Sequence, residues 1–356
     1  MRINYKQLIF AREYRGYNQT ELALKIKGLS QSNLSKFEKG FDCLSDETID
    51  SIIDFLNFPK SFFDKDVHIY NMSETAHFRR RNKITASQKN SLEKNYRLIG
   101  YLIDQMSESI EFPDYALKSI DLEEGYTPEE VANYMRRYFS LADRPVKNIM
   151  SLVESSGIII VDLDTNIEEF DGVSFLTDKG YPVIVLNRNM SNDRKRFTVS
   201  HELGHILMHT FGNIIIPEGR DKEKEANLFA SEFLMPKDVI KKSLIGLKLG
   251  DLAPLKSYWL TSIASIIMRA SYLGCIDKNK ATYFNIELSR KGYRKNEPIN
   301  VFIDRPEYFY EAYRMHKESL SFSDKDLSEA FRLPIDVTEK LFVQPNNGML
   351  RVKIFN

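Results

Sequence analysis

Arg196-Phe197-Thr198-Val199-Ser200-His201-Glu202-Leu203-Gly204-His205-Ile206-Leu207-Met208-His209-Thr210 holds three of the chain's six histidines. Leu203, Ile206 and Leu207 recur at helical spacing, which predicts a helix over 196–210 with one apolar side. Positions i and i+4 share a helix face, so His201 and His205 can reach one ion together. Zinc accepts neutral imidazole at about 2.0–2.1 Å and keeps a fourth position for water in catalytic sites. Glu202 lies beside that position and is placed to take a proton from a water whose pKa the metal brings to about 7. Two surface histidines are the bland alternative, and the apolar side of this helix argues against it.

Two histidines do not complete a zinc site, so a third protein ligand is expected. Working outward, the next strongly acidic helix is expected at 221–235, through Glu223-Lys224-Glu225-Ala226-Asn227-Leu228-Phe229-Ala230 to Leu234-Met235-Pro236. Glu223 shares a stripe with Ala226, Asn227 and Ala230, small enough to let this helix approach the first. At 100° per residue, Glu225 points about 160° away from Glu223 around the helix. Glu223 is therefore the expected third ligand, with Glu225 as the alternative.

Upstream, Ile158–Val161 and Val183–Leu186 are short β-branched runs typical of buried strands. Thr127-Pro128-Glu129-Glu130 reads as a capping box opening a helix, and another helix is expected at about 88–111. Residues 67–90 are polar, and Phe78-Arg79-Arg80-Arg81-Asn82-Lys83 reads as a solvated linker, with phosphate contact as the sharper alternative. Beyond 250 the pattern is mostly helical. The expected fold class is α+β. It divides into an all-α domain at 1–66, a linker and helical region at 67–145, a small mixed α/β zinc domain at 146–245 and a helical region at 246–356.

The stretch from about 146 to 236 resembles the ImmA/IrrE metallopeptidases. The resemblance rests on Gly157-Ile158, Gly172-Val173-Ser174, Leu186-Asn187, Arg194-x-Arg196-Phe197-Thr198, the His201–His205 motif with His209, and Glu223-x-x-Ala226-Asn227-x-Phe229-Ala230 with Leu234-Met235-Pro236. It implies a gluzincin-like domain with Zn2+ on His201, His205 and Glu223, and Glu202 as general base. It also implies a protein substrate, since members of that family cleave helix-turn-helix repressors. His209 fits the family pattern as well, and reads as a hydrogen-bonded structural histidine sooner than as a ligand.

A second signal lies at the N-terminus. Thr20 is the expected cap of a helix over Glu21–Lys27, and Gly28 permits a tight turn. Ser30 caps a helix over Gln31–Lys39, and Ser45 starts another with Ile49, Ile52, Ile53 and Leu56 at helical spacing. Leu22, Ala23, Ile26, Leu34 and Phe37 can form the core between crossing helices. Gln31, Ser32, Asn33, Ser35 and Lys36 then project from the second of them, with Gln19 just before the first, in positions suited to base edges of double-stranded DNA. Residues 1–40 carry eight Lys or Arg against three Asp or Glu, while 41–66 carry two against seven. The positive excess thus sits where phosphate would be. Residues 5–58 resemble XRE-type helix-turn-helix domains, which implies operator binding; a helical bundle for protein contacts is the bland alternative.

Acidic and basic residues balance at 50 each, so net charge alone argues neither for nor against nucleic acid. Two distant cysteines, Cys43 and Cys275, suggest a reducing compartment, and the absence of a long apolar run leaves the cytoplasm as the expected location with no membrane partner. Trp259–Gly274 resembles a helical segment that follows the peptidase in longer XRE-peptidase fusions, and 306–342 reads as a small helical bundle, a sensor or docking region. The expected function is a DNA-binding regulator with zinc-dependent endopeptidase activity. Its substrate would be a repressor- or antitoxin-like protein, or itself, in a stress or phage-related response. The alternative is a regulator whose zinc domain senses a ligand or binds a partner without cutting. A homodimer on a two-fold operator is compatible with the sequence and not demanded by it.

Overall fold

The computed structural model describes residues 3–67, 69, 77–80, 84–210, 216–294 and 296–342. They form an α+β protein in two compact units, one made of the described residues within 1–71 and 310–356 and the other of those within 72–309.

The first unit opens with α1 (Tyr5–Tyr14), α2 (Gln19–Lys25), α3 (Gln31–Glu38) and α4 (Asp46–Leu56). Ser30 caps α3 by accepting from the Asn33 N–H at 3.2 Å, and Ser45 caps α4 through Thr48 at 3.2 Å. The cap of α2 is Asn18, not the expected Thr20. Asn18 has Glu21 three residues on, so each side chain bonds the other's backbone N–H, at 2.9 and 2.8 Å. That reciprocal pair satisfies two donors, which Thr20 could not do. Leu8, Leu22, Leu34, Ile52 and Leu56 are fully buried between these helices.

In the second unit the described residues hold β1 (His77–Arg80), α5 (Ala86–Met106), α6 (Pro128–Tyr138), α7 (Ile149–Glu154), β2 (Ile159–Leu163), β3 (Phe170–Leu176), β4 (Pro182–Asn187), α8 (Asn192–His205), α9 (Lys222–Leu234), α10 (Lys237–Leu244), α11 (Leu252–Trp259), α12 (Ile263–Tyr272) and α13 (Lys278–Arg290). The strands make one sheet in the order β1-β3-β4-β2. β2 and β4 run parallel, with Ile160 opposite Ile184, and β3 lies antiparallel to β4, with Ser174 opposite Ile184. Every residue of β4 is buried, as a central strand demands.

Two strands, β3 and β1, are not among those expected from the sequence. β3 lacks clean alternation because six of its seven residues are buried. His77–Arg80, expected as linker, form β1 against β3, with His77 opposite Ser174. Backbone pairing needs no apolar pattern, so a charged sequence hides an edge strand. Arg81, Asn82 and Lys83 of the same basic run lie outside the described residues.

The helix α8 crosses β3 closely. A Cβ on Gly172 would stand 2.7 Å from Thr198 Cγ2, so only glycine lets the two elements touch there. Arg196, fully buried on α8, donates to the carbonyls of Lys147 at 2.8 Å and Leu260 at 3.0 Å and to that of Val146. Burial pushes its pKa down to about 10, which leaves it charged and its bonds strong.

The region 246–356 is shared between the units. Its helices α11–α13 belong to the second unit, while α14 (Tyr308–Glu318) leads into the first unit, which also holds α15 (Asp324–Phe331) and α16 (Ile335–Phe342). There Arg15 reaches Asp336 at 2.5 Å and Arg332 reaches Asp66 at 2.9 Å. No helix among the described residues is long and apolar enough to cross a membrane.

Candidate functional site

α8 carries His201, Glu202 and His205, all fully buried, and ends in a π-helical turn, Ile206–Thr210, that carries His209. α9 packs against it. Gly204 makes the approach possible, because a Cβ there would meet the Phe229 ring at 3.0 Å. The small stripe on α9 acts from the other side, with Ala226 and Ala230 fully buried.

This packing brings Glu223 to the two histidines. His201 Nε2 and His205 Nε2 lie 3.0 Å apart, and Glu223 contacts them at 3.4 and 3.2 Å. One ligand atom from each residue lies within 4.8 Å of the other two, a group that could hold a metal ion. Burial raises the Glu223 pKa, but hydrogen bonding and charge from His201 and His205 outweigh it and hold the carboxyl well below the usual range. Two nitrogen donors and one carboxylate oxygen suit zinc. Glu225, the alternative ligand, points elsewhere: it contacts His209 Nε2 at 2.8 Å and is clamped by Arg220 at 2.9 and 2.7 Å. Burial, then the charge of His205, pushes the His209 pKa down to about 4, so it is neutral at ordinary pH.

Other contacts at this site were not visible in the sequence reading. Ser174 on β3 donates its hydroxyl to Glu202 at 2.6 Å, and Asn227 on α9 meets His201 Nδ1 at 3.1 Å. Gly172-Val173-Ser174 and Asn227 lie in the stretches that carry the family resemblance, yet only the fold gives Ser174 and Asn227 these contacts.

In the first unit, Gln31, Ser32, Asn33 and Lys36 are exposed on α3, Ser35 is half-exposed, and Gln19 on α2 is half-buried. A buried pair underlies them. Arg12 donates to both oxygens of Glu38, at 2.6 and 3.0 Å. Gln19 donates to Glu38 at 2.7 Å and accepts from Gln31 at 2.9 Å. The two glutamines are thereby held in one orientation at the start of their helices.

Residues 153–271 match the family model of the IrrE N-terminal-like domain, peptidase family M78, and residues 8–63 match that of the helix-turn-helix. The chain joins a helix-turn-helix DNA-binding domain to an M78 peptidase-family domain. The M78 match begins within α7 and ends within α12, so the sheet strands β2–β4, α8 and α9 all fall inside it. The chain is also 39% identical over 71 residues to "Uncharacterized immunity region protein 2" of Bacillus phage phi105. That match spans 18% of this chain and 45% of the relative's length.

Proposed function

We propose that the protein is a DNA-binding transcription regulator whose M78 domain is a zinc-dependent endopeptidase. The observation that carries this reading is the convergence of His201, His205 and Glu223, with Glu202 on the same helix held by Ser174. His201, His205 and Glu223 would hold Zn2+. When bound, zinc supplies a Lewis acid that acidifies water and polarises a carbonyl. Glu202 is the general base: it takes the proton of the attacking water and passes it to the leaving amine. Ser174, donating to one Glu202 oxygen, keeps the carboxylate fixed and selects its orientation. Complete burial of Glu202 excludes competing bulk water from that proton.

The helix-turn-helix would read an operator through Gln31, Ser32, Asn33 and Ser35, with Lys36 and Gln19 positioned toward the backbone or base edges. The phage immunity-region relative supports a role in phage-type gene control, with a repressor- or antitoxin-like protein, or the chain itself, as substrate.

The test is to incubate zinc-loaded wild type and Glu202→Gln with proteins encoded by neighbouring genes and to look for fragments. Wild type should cut one of them, and Glu202→Gln should lose about 10²–10⁴ in rate while keeping zinc and DNA binding. If wild type cuts nothing under inducing conditions and Glu202→Gln cells regulate normally, the M78 domain is a sensor or scaffold.

A further inference from the structure

His209 and Glu225 perform no step of the expected reaction, yet they form an unbroken line to one of its metal ligands. The geometry points to Arg220, Glu225 and His209 as positioning residues that fix the proton of His205 and present its Nε2 lone pair to zinc, an inference that rests on the metal reading above.

The argument runs from both ends of the line. At the outer end, Arg220 donates to both oxygens of Glu225, at 2.9 and 2.7 Å. A carboxylate clamped in this bidentate way carries no proton and can only accept. His209 Nε2, 2.8 Å from Glu225, must therefore hold the hydrogen. In a neutral imidazole the other nitrogen is then bare. His209 Nδ1 is that nitrogen, and it lies 2.9 Å from His205 Nδ1. His205 Nδ1 must therefore donate, which leaves His205 Nε2 bare, on the side facing His201 Nε2 and Glu223.

From the inner end, a zinc ligand nitrogen must be bare. His205 Nε2 without hydrogen forces Nδ1–H, which needs an acceptor, and His209 Nδ1 supplies one only if Nε2 carries its hydrogen. The two deductions meet without conflict. Two imidazoles in series keep the parity that a single imidazole has when it donates directly to a carboxylate. His201 solves the same problem in one step, because Asn227 Oδ1 lies 3.1 Å from its Nδ1. The π-helical turn at 206–210 belongs to this device. It carries His209, and Thr210 donates to the His205 carbonyl at 3.0 Å within it.

α9 therefore meets the two histidines of α8 and the one in the turn that follows it with three side chains of separate duty: Glu223 on the ligand side, Asn227 behind His201 and Glu225 behind His209. Arg220 also reaches Glu123 at 3.2 Å, which ties the outer end of the line to the segment before α6.

The experiment uses the full-length chain. Zinc affinity is measured by chelator competition for wild type, His209→Phe, Glu225→Ala and His209→Gln, and tautomers are read by long-range 1H–15N NMR on the zinc-loaded wild type. His209→Phe keeps the ring's bulk and removes both nitrogens, so its zinc Kd should rise about 10–100-fold, as should that of Glu225→Ala. His209→Gln can still accept from His205 and donate to Glu225, so it should recover affinity to within a few-fold of wild type. The NMR spectrum should show His205 protonated at Nδ1 and His209 at Nε2, a result that requires no variant to fold. A His209→Phe chain that binds zinc as tightly as wild type, or a His209 protonated at Nδ1, overturns the relay and leaves the metal reading standing. A wild-type chain that takes up no zinc overturns both.

Discussion

The helix-turn-helix and the M78 domain each contain an arginine that grips a glutamate, and each glutamate orients the next side chain in line. In the first, Arg12 holds Glu38, Glu38 holds Gln19 and Gln19 holds Gln31. In the second, Arg220 holds Glu225, Glu225 meets His209 and His209 meets His205. The difference lies at the ends. The first line begins in the core and finishes on an exposed amide, which keeps donor and acceptor capacity for an incoming base edge. The second begins near the surface and finishes on a fully buried imidazole, which has one lone pair to offer and one direction to offer it. An exposed terminus can tolerate a lost link by re-pairing with water. A buried terminus cannot, because the alternative to its hydrogen bond is an unpaired polar group.

The comparison can be broken most severely at its buried end. His201→Ala or His205→Ala should abolish zinc binding, about one zinc per chain falling to none by metal analysis, and substantial occupancy in the double variant would remove the site. Next in size is Arg12→Ala, which strands Glu38 in the core. It should cost about 3–5 kcal/mol in the first unit's stability, measured by chemical denaturation. If the loss is below about 1 kcal/mol, the Arg12–Glu38 pair does not anchor its line.

Smaller effects are expected at the exposed terminus. Gln31→Ala should cost about 1–3 kcal/mol of discrimination between operator and mismatched duplex, without unfolding the chain. Lys36→Ala should weaken binding more evenly and lower the salt slope by about one if it contacts phosphate. Equal losses on every sequence for both variants would mean that Gln31 is not read against a base.

A pH-dependent effect is expected at a buried carboxylate gripped in another way. Glu154 accepts from the backbone N–H groups of Glu307 and Tyr308, at 2.9 to 3.2 Å. Burial outweighs those bonds and pushes its pKa from 4.5 up to about 8. The folded chain then binds the proton more tightly than the unfolded one. Its contribution to stability is present below pH 4.5 and is lost as pH rises through about 8. Glu154→Gln should flatten the decline of melting temperature across that window, and an unchanged slope would mean that Glu154 is not the group that titrates.

The parts legible in the sequence are those set by local spacing. His201 and His205 face one way because four residues make about one helical turn, and Ser30, Ser45 and Thr127 cap their helices because the backbone N–H that each accepts from lies three residues on. Contacts set by the meeting of distant elements were not legible. Ser174 reaches Glu202 across 28 positions, and Arg15 reaches Asp336 across 321. Glu225 illustrates the intermediate case. Its direction around α9 could be read from the helix period, but its partner His209 depends on how α8 and α9 pack. β1 was hidden for a different reason: strand pairing is written in backbone hydrogen bonds, and charged side chains leave no trace of it.

The ion pairs Arg15–Asp336 and Arg332–Asp66 carry a consequence for chain connectivity. The helix-turn-helix and the helices that share its unit are separated in sequence by all of residues 72–309. That segment is a tether, and its span sets the effective concentration at which the two pieces meet. Exposed ion pairs are worth only about 0–1 kcal/mol each, so these two add little to what the tether supplies. Unfolding the M78 domain lengthens it and dilutes the encounter; cutting the connecting chain ends it. During synthesis the first unit is therefore completed only after the whole of the second has been made.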